Sequence, residues 1–180
     1  MKQKKYLMSS GLAFSEKKEM EKLSDHAQKG WMLEKFAFLG FVLRKREPES
    51  VIYSLDYQKE ADEEYFSYFQ EAGWTHVCSA GEMHIFKAAP GTNPIYSDKQ
   101  SEMEKYERES KSMKKVAVSA LLVALFLIVV SVSSKNGLLP NGIGVISEAI
   151  SYPTIIVLIF TGMPYLAYRY KLKKLEKHNF

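Results

Sequence analysis

Hydrophobic positions follow two regimes. Up to about residue 115 they come in short bursts of changing period; beyond it they merge into two runs of 19 residues, each free of charge. In the first regime, Met20, Leu23 and Ala27 recur on one side of a helix predicted over Glu16–Lys29, with Ser15 as the expected N-cap and Gly30 as the left-handed stop. A second stripe, Tyr65, Phe69 and Ala72, follows Asp62 as cap and ends at Gly73, and Glu63 and Glu64 suit the positive helix start. Val51, Tyr53, Leu55 and Tyr57 alternate as in a half-buried strand. Met32–Phe38, Phe41–Arg46, Thr75–Ala80 and Met83–Lys87 read as further strands, and Lys5–Phe14 as a leading one. Ser101-Glu102-Met103-Glu104 has the form of a capping box opening a third helix.

These groups repeat. Gly30-Trp31 returns as Gly73-Trp74 and Ile52-Tyr53-Ser54 as Ile95-Tyr96-Ser97, both 43 residues on, while Phe41–Lys45 aligns with Met83–Lys87. The expected fold class is therefore α+β: a duplicated two-layer sandwich of ferredoxin-like character over residues 1–98, with Trp31 and Trp74 as core anchors beside their glycines.

The second regime predicts a transmembrane hairpin. A bilayer core of roughly 30 Å needs about 20 helical residues. Val116–Ser134 and Ile150–Tyr168 meet that length, although Pro153, Gly162 and Pro164 interrupt the second. The 12 Val, Leu, Ile and Phe of the first run favour insertion by about 4 to 7 kcal/mol. Residues 99–115 become a juxtamembrane stalk, 135–149 a short external loop and 169–180 a basic tail. Charge then gives an orientation. Residues 1–115 balance 19 basic against 19 acidic residues, so the net +4 resides in the last third. Ten basic residues, among them Lys105, Lys114, Lys115, Arg169 and Lys171, flank the two runs, against Lys135 alone between them, which places both termini in the cytoplasm of a multi-pass cell-membrane protein. The lone Cys78 suits a reducing compartment, and no cleavable signal peptide is visible. Glu148 is the candidate membrane acid, since extending the second span backward would bury it.

Candidate chemistry is sparse. His76 and Cys78, two apart on a strand, would share a face, with His84 opposite Cys78 across the turn, so three candidate metal ligands are expected to approach one another. Against a metal stand the single cysteine and the absence of CxxC or HExxH spacing. Neither a GxSxG elbow nor a phosphate loop occurs, so the chain is expected to be no enzyme and to carry no cofactor. A neutral first half without a basic aromatic strip speaks against nucleic acid. The expected partners are the lipid bilayer and either a protein or a second copy.

Gly30-Trp31, Ile52–Tyr57, Asp62–Tyr65, Phe69–Trp74, Val77–Ser79 and Pro94–Asp98 together resemble domain of unknown function 2812 over about residues 5–110. That resemblance implies a Gram-positive bacterial membrane protein with spans after the domain, and frequent genetic association with PadR-type regulators. It assigns no activity. The reading that follows is a cytoplasmic module that binds a partner or small ligand, in an envelope-stress or antimicrobial response. The alternative is an accessory subunit of a transporter or peptide-resistance complex acting through its spans.

Overall fold

The computed structural model describes residues 3–96 and 99–177. Ser97 and Asp98, which close both the repeat and the expected domain boundary, lie outside the described residues. The chain divides into two compact units, Met1–Lys105 and Tyr106–Phe180. The residues expected to form a stalk are thus shared between them, within the single helix α3 (Lys99–Lys135).

The first unit runs β1 (Lys4–Met8), α1 (Leu12–Gln28), β2 (Trp31–Ala37), β3 (Gly40–Lys45), β4 (Ile52–Tyr57), α2 (Glu63–Glu71), β5 (Thr75–Ala80) and β6 (Met83–Ala88). It is an α+β unit with two three-stranded antiparallel sheets, ordered β1-β3-β2 and β4-β6-β5. Both halves therefore share one element order, strand–helix–strand–strand, and one strand order. Apolar side chains of both sheets meet α1 in a common core of Met20, Leu23, Phe41, Leu43, Leu55 and Ile85 among others. A second cluster, Phe69, Trp74, Phe86 and Ala88, lies under α2. Strand β6 is thus buried on both faces, Ile85 entering one cluster and Phe86 the other.

Local chemistry explains most element ends. Gly30 and Gly73 stop their helices at φ +77° and +86°, and a Cβ on Gly30 would lie 2.6 Å from the Arg46 carbonyl. Asp62 caps α2 by accepting from the Tyr65 N–H at 2.9 Å. Four expectations need correction. The leading strand stops at Met8, because Gly11 (φ +94°) turns the chain directly into α1. Ser15 does not cap: its hydroxyl donates back to the Gly11 carbonyl (3.3 Å), and its φ of −136° breaks the helix there. Ala72 is exposed just past the end of α2, so only Tyr65 and Phe69 of that stripe contribute packing. Ser101 lies inside α3, which already runs from Lys99, so it opens no helix.

In the second unit, α3 and α4 (Asn141–Lys177) are each long and apolar enough to cross a membrane. The non-helical connection between them is residues 136–140, shorter than the segment 135–149 expected between the spans, because α4 starts at Asn141 and holds Glu148 within its helix. The buried face of α3 is Ala117, Ala120, Ala124, Leu127, Ser131 and Ser134, a heptad of mostly small residues that lets backbones approach closely. Gly144 meets Ser134 so tightly that a Cβ would sit 2.5 Å from the hydroxyl. Outward faces carry Leu122 (61% exposed) and Phe126 (66%).

Candidate functional site

The sequence-predicted ligands His76, Cys78 and His84 do not converge. A bulge between His76 and Cys78 shifts the register, so Cys78 pairs with Ile85 and Ser79 with His84. Cys78 turns into the main core, where burial pushes its thiol up to about 12. Among the described residues no group of three His, Cys, Asp or Glu side chains is placed to hold a metal ion.

Freed of Cys78, the two histidines share Ser79. His76 Nε2 and His84 Nδ1 both lie 2.7 Å from Ser79 Oγ, and His84 Nε2 lies 3.0 Å from the Gln58 carbonyl. A carbonyl only accepts, so this network assigns the proton of His84 to Nε2 and leaves Nδ1 to accept from Ser79. The serine oxygen then accepts the Nε2–H of His76. Each group has a partner when both imidazoles are neutral. Burial, and then the nearby His84, lower the pKa of His76 in keeping with that state. Phe66 stacks obliquely on His76 (4.6 Å between centroids), and Tyr65 lies 5.4 Å from His84.

Beside this chain, Asp56 is buried and accepts from Tyr65 Oη at 2.8 Å and from Tyr96 Oη. On the neighbouring edge of β4, Lys105 is almost fully buried. Its ammonium donates to Glu16 and to the Leu55 carbonyl (2.6 Å), and lies 4.8 Å from the Tyr96 ring and 5.3 Å from that of Tyr57. Lys105 was expected as a flanking charge of the span; it is instead an internal tie of the first unit. Reading the sequence missed Glu16, Asp56 and Lys105, because charged residues normally mark surface and their burial depends on partners up to 89 residues away.

A cavity of about 410 Å³ opens between β2 and β5, bordered by Arg44, Arg46, Tyr53, His76 and Lys87. Two carboxylates offset its positive charge. Glu34 accepts from Arg44 Nε at 3.0 Å and pairs with its other arm, which holds its carboxyl down to about 2. Lys87 bonds both oxygens of Glu49. Trp74 is a core residue whose indole donates to Asn93, but Trp31 is only half-buried, its ring facing the Lys5 and Lys45 ammoniums. In the second unit Glu148 pairs with Lys135 and accepts from Ser131 at 3.1 Å. Lys171 lies 4.6 Å from the Tyr106 ring; Lys114 lines a polar groove with Arg169, while Lys115 is exposed.

A family model described as a protein of unknown function, DUF2812, matches residues 15–118, more than half of the chain. The chain belongs to this family. The match spans α1 through the first half of α3, so the DUF2812 region takes in Glu16, Asp56, the His76–Ser79–His84 chain and Lys105. It leaves β1 and α4 outside. No curated protein and no solved structure matches the chain.

Proposed function

We propose that this DUF2812 protein is a multi-pass protein of the bacterial cell membrane with both termini in the cytoplasm. Its α+β unit serves as a non-catalytic binding module for a partner protein or small ligand, within an envelope-stress or antimicrobial response. One contrast carries this reading. Helices α3 and α4 expose bulky apolar faces that water would not tolerate, Phe126 and Phe160 (58%) among them, while the α+β unit offers a charged cavity between two sheets. The reactive side chains of that unit hydrogen-bond each other instead of facing one common point, which supports binding over catalysis. The equivalent strand order of its halves supports an origin by duplication.

Cross-linking mass spectrometry on native membranes tests the proposal. It expects a reproducible partner joined to the α+β unit, and a deletion strain sensitised to membrane-active compounds. Recovery of no partner, together with an unchanged deletion strain, would overturn it. The Ser131–Glu148–Lys135 group between the helices favours a second reading, an accessory subunit acting through its spans. Replacing the α+β unit by an unrelated domain separates the two, since only the second reading expects function to survive.

A further inference from the structure

In the first unit, five of the six exposed large hydrophobic residues among those described gather at one corner: Tyr6, Met8, Phe14, Phe38 and Leu39, with only Tyr68 elsewhere. Phe38 and Leu39 form the two-residue tip of the β2–β3 hairpin and are 84% and 54% exposed. Leu39 holds a left-handed φ of +52°. Folding alone would favour Asn or Gly there, since a Cβ crowds the following carbonyl in that conformation. A bulky apolar side chain kept at a strained, wet position points to a role outside the fold.

The corner is also well fixed. Ser9 N–H donates to the Leu39 carbonyl at 3.0 Å, Tyr6 Oη to that of Phe38 at 2.8 Å and Lys22 Nζ to that of Met8 at 2.9 Å. Behind the tip lies a mostly apolar hollow of about 410 Å³ that Gly11, Leu39 and Met83 help to line. Lys17 and Lys18 stand exposed three and four residues beyond Phe14, and Lys22 follows one turn later.

We infer that this corner docks on the bilayer, with Phe38 and Leu39 entering the headgroup region and Lys17 and Lys18 meeting anionic lipid. The inference rests on the membrane reading above. Bulky apolar side chains rimmed by lysines suit an anionic interface. A tether to the same membrane holds that interface at high effective concentration. A second copy is the poorer occupant, because a two-fold contact through this patch would bring the two sets of lysines together.

The test uses the full chain in phosphatidylcholine vesicles with and without phosphatidylglycerol. An environment-sensitive dye is placed at Phe38→Cys, at Lys59→Cys as an exposed control, and at Leu122→Cys in α3. The expected result is several-fold stronger quenching by lipid-borne nitroxide at position 38 than at 59, weakened by Lys17→Glu/Lys18→Glu or by omitting phosphatidylglycerol. Quenching at 38 by aqueous iodide to the same extent as at 59, with 122 quenched by lipid, overturns the inference and leaves the membrane reading standing. Shielding of 38 from both quenchers overturns it in favour of a protein occupant. Failure of lipid to quench position 122 overturns the membrane reading and this inference with it.

Discussion

Replacing Lys105 by methionine tests whether one buried ion pair holds the start of α3 in the first unit. Lys105 is 2% exposed and pairs with Glu16, whose second carboxylate oxygen is buried with no hydrogen-bond partner among the described residues. Methionine fills much of the same volume but leaves Glu16 an uncompensated buried charge and the Leu55 carbonyl without its Lys105 donor. Breaking one side of such a pair costs about 3–5 kcal/mol, a large share of the ~5–15 kcal/mol that holds an ordinary domain. For a unit of roughly 100 residues, 3 kcal/mol lowers the melting midpoint by about 12–24 °C. Both tryptophans of the chain, Trp31 and Trp74, lie in the first unit, so their fluorescence in the detergent-solubilised full chain follows that unit alone. The double variant Glu16→Leu/Lys105→Met separates the pair from mere packing. Removing both charges leaves no orphaned charge and only the Leu55 carbonyl short of its Lys105 donor, so it should regain most of the lost stability. A Lys105→Met midpoint within about 2 °C of the parent, below what 0.5 kcal/mol would give, would refute the reasoning. So would a double variant no more stable than the single one.

Asp62→Ala removes the side-chain cap of α2 and should cost about 1 kcal/mol in the same fluorescence melt, with Asp62→Asn retaining most of the stability. Cys78, buried and pushed up to about 12, should react with a thiol reagent only after denaturant is added; rapid reaction of the native chain would contradict its core position. His76 has a lowered pKa in the fold, so its contribution to stability is present above its unfolded value of about 6.5 and is lost as pH falls toward the folded value. Melts between neutral and mildly acid pH should show this loss, and His76→Asn should reduce the slope.

Features set by one residue and its immediate neighbours could be read from the chain. Gly30 and Gly73 end helices because a positive φ suits a residue without Cβ, and Asp62 caps through a bond three residues long. Strand β5 was legible as a strand, yet the single bulge after His76 inverted which of its side chains share a face, and a two-residue period carries no sign of such a shift. The His76–Ser79–His84 chain was hidden for that reason. The small-residue seam of the hairpin was hidden differently. Ala117, Ala120, Ala124, Ser131 and Ser134 are apolar or nearly so, and their spacing of three and four vanishes in a run that is hydrophobic all round.

The placement of Lys105 and Lys135 also changes what the net +4 means. Among the ten basic residues around the two apolar runs, Lys105 spends its charge inside the first unit on Glu16, so it says little about a membrane surface. Between the helices, the single cation Lys135 is paired with Glu148, which makes that end of the hairpin neutral as well as sparsely charged. Removing one vote from the rich side while neutralising the poor side leaves the asymmetry intact, because Arg108, Lys111, Lys114 and Lys115 still precede the first apolar run and Arg169 through Lys177 still follow the second. The same pairing argues against Glu148 as a lone membrane acid. A carboxylate held by a lysine at the mouth of a five-residue loop closes the hairpin, and moving it deeper would mean drawing Lys135 in with it. The excess charge of this chain therefore sits at the far ends of its two long helices, and the acidic residue between them is a clasp on Lys135.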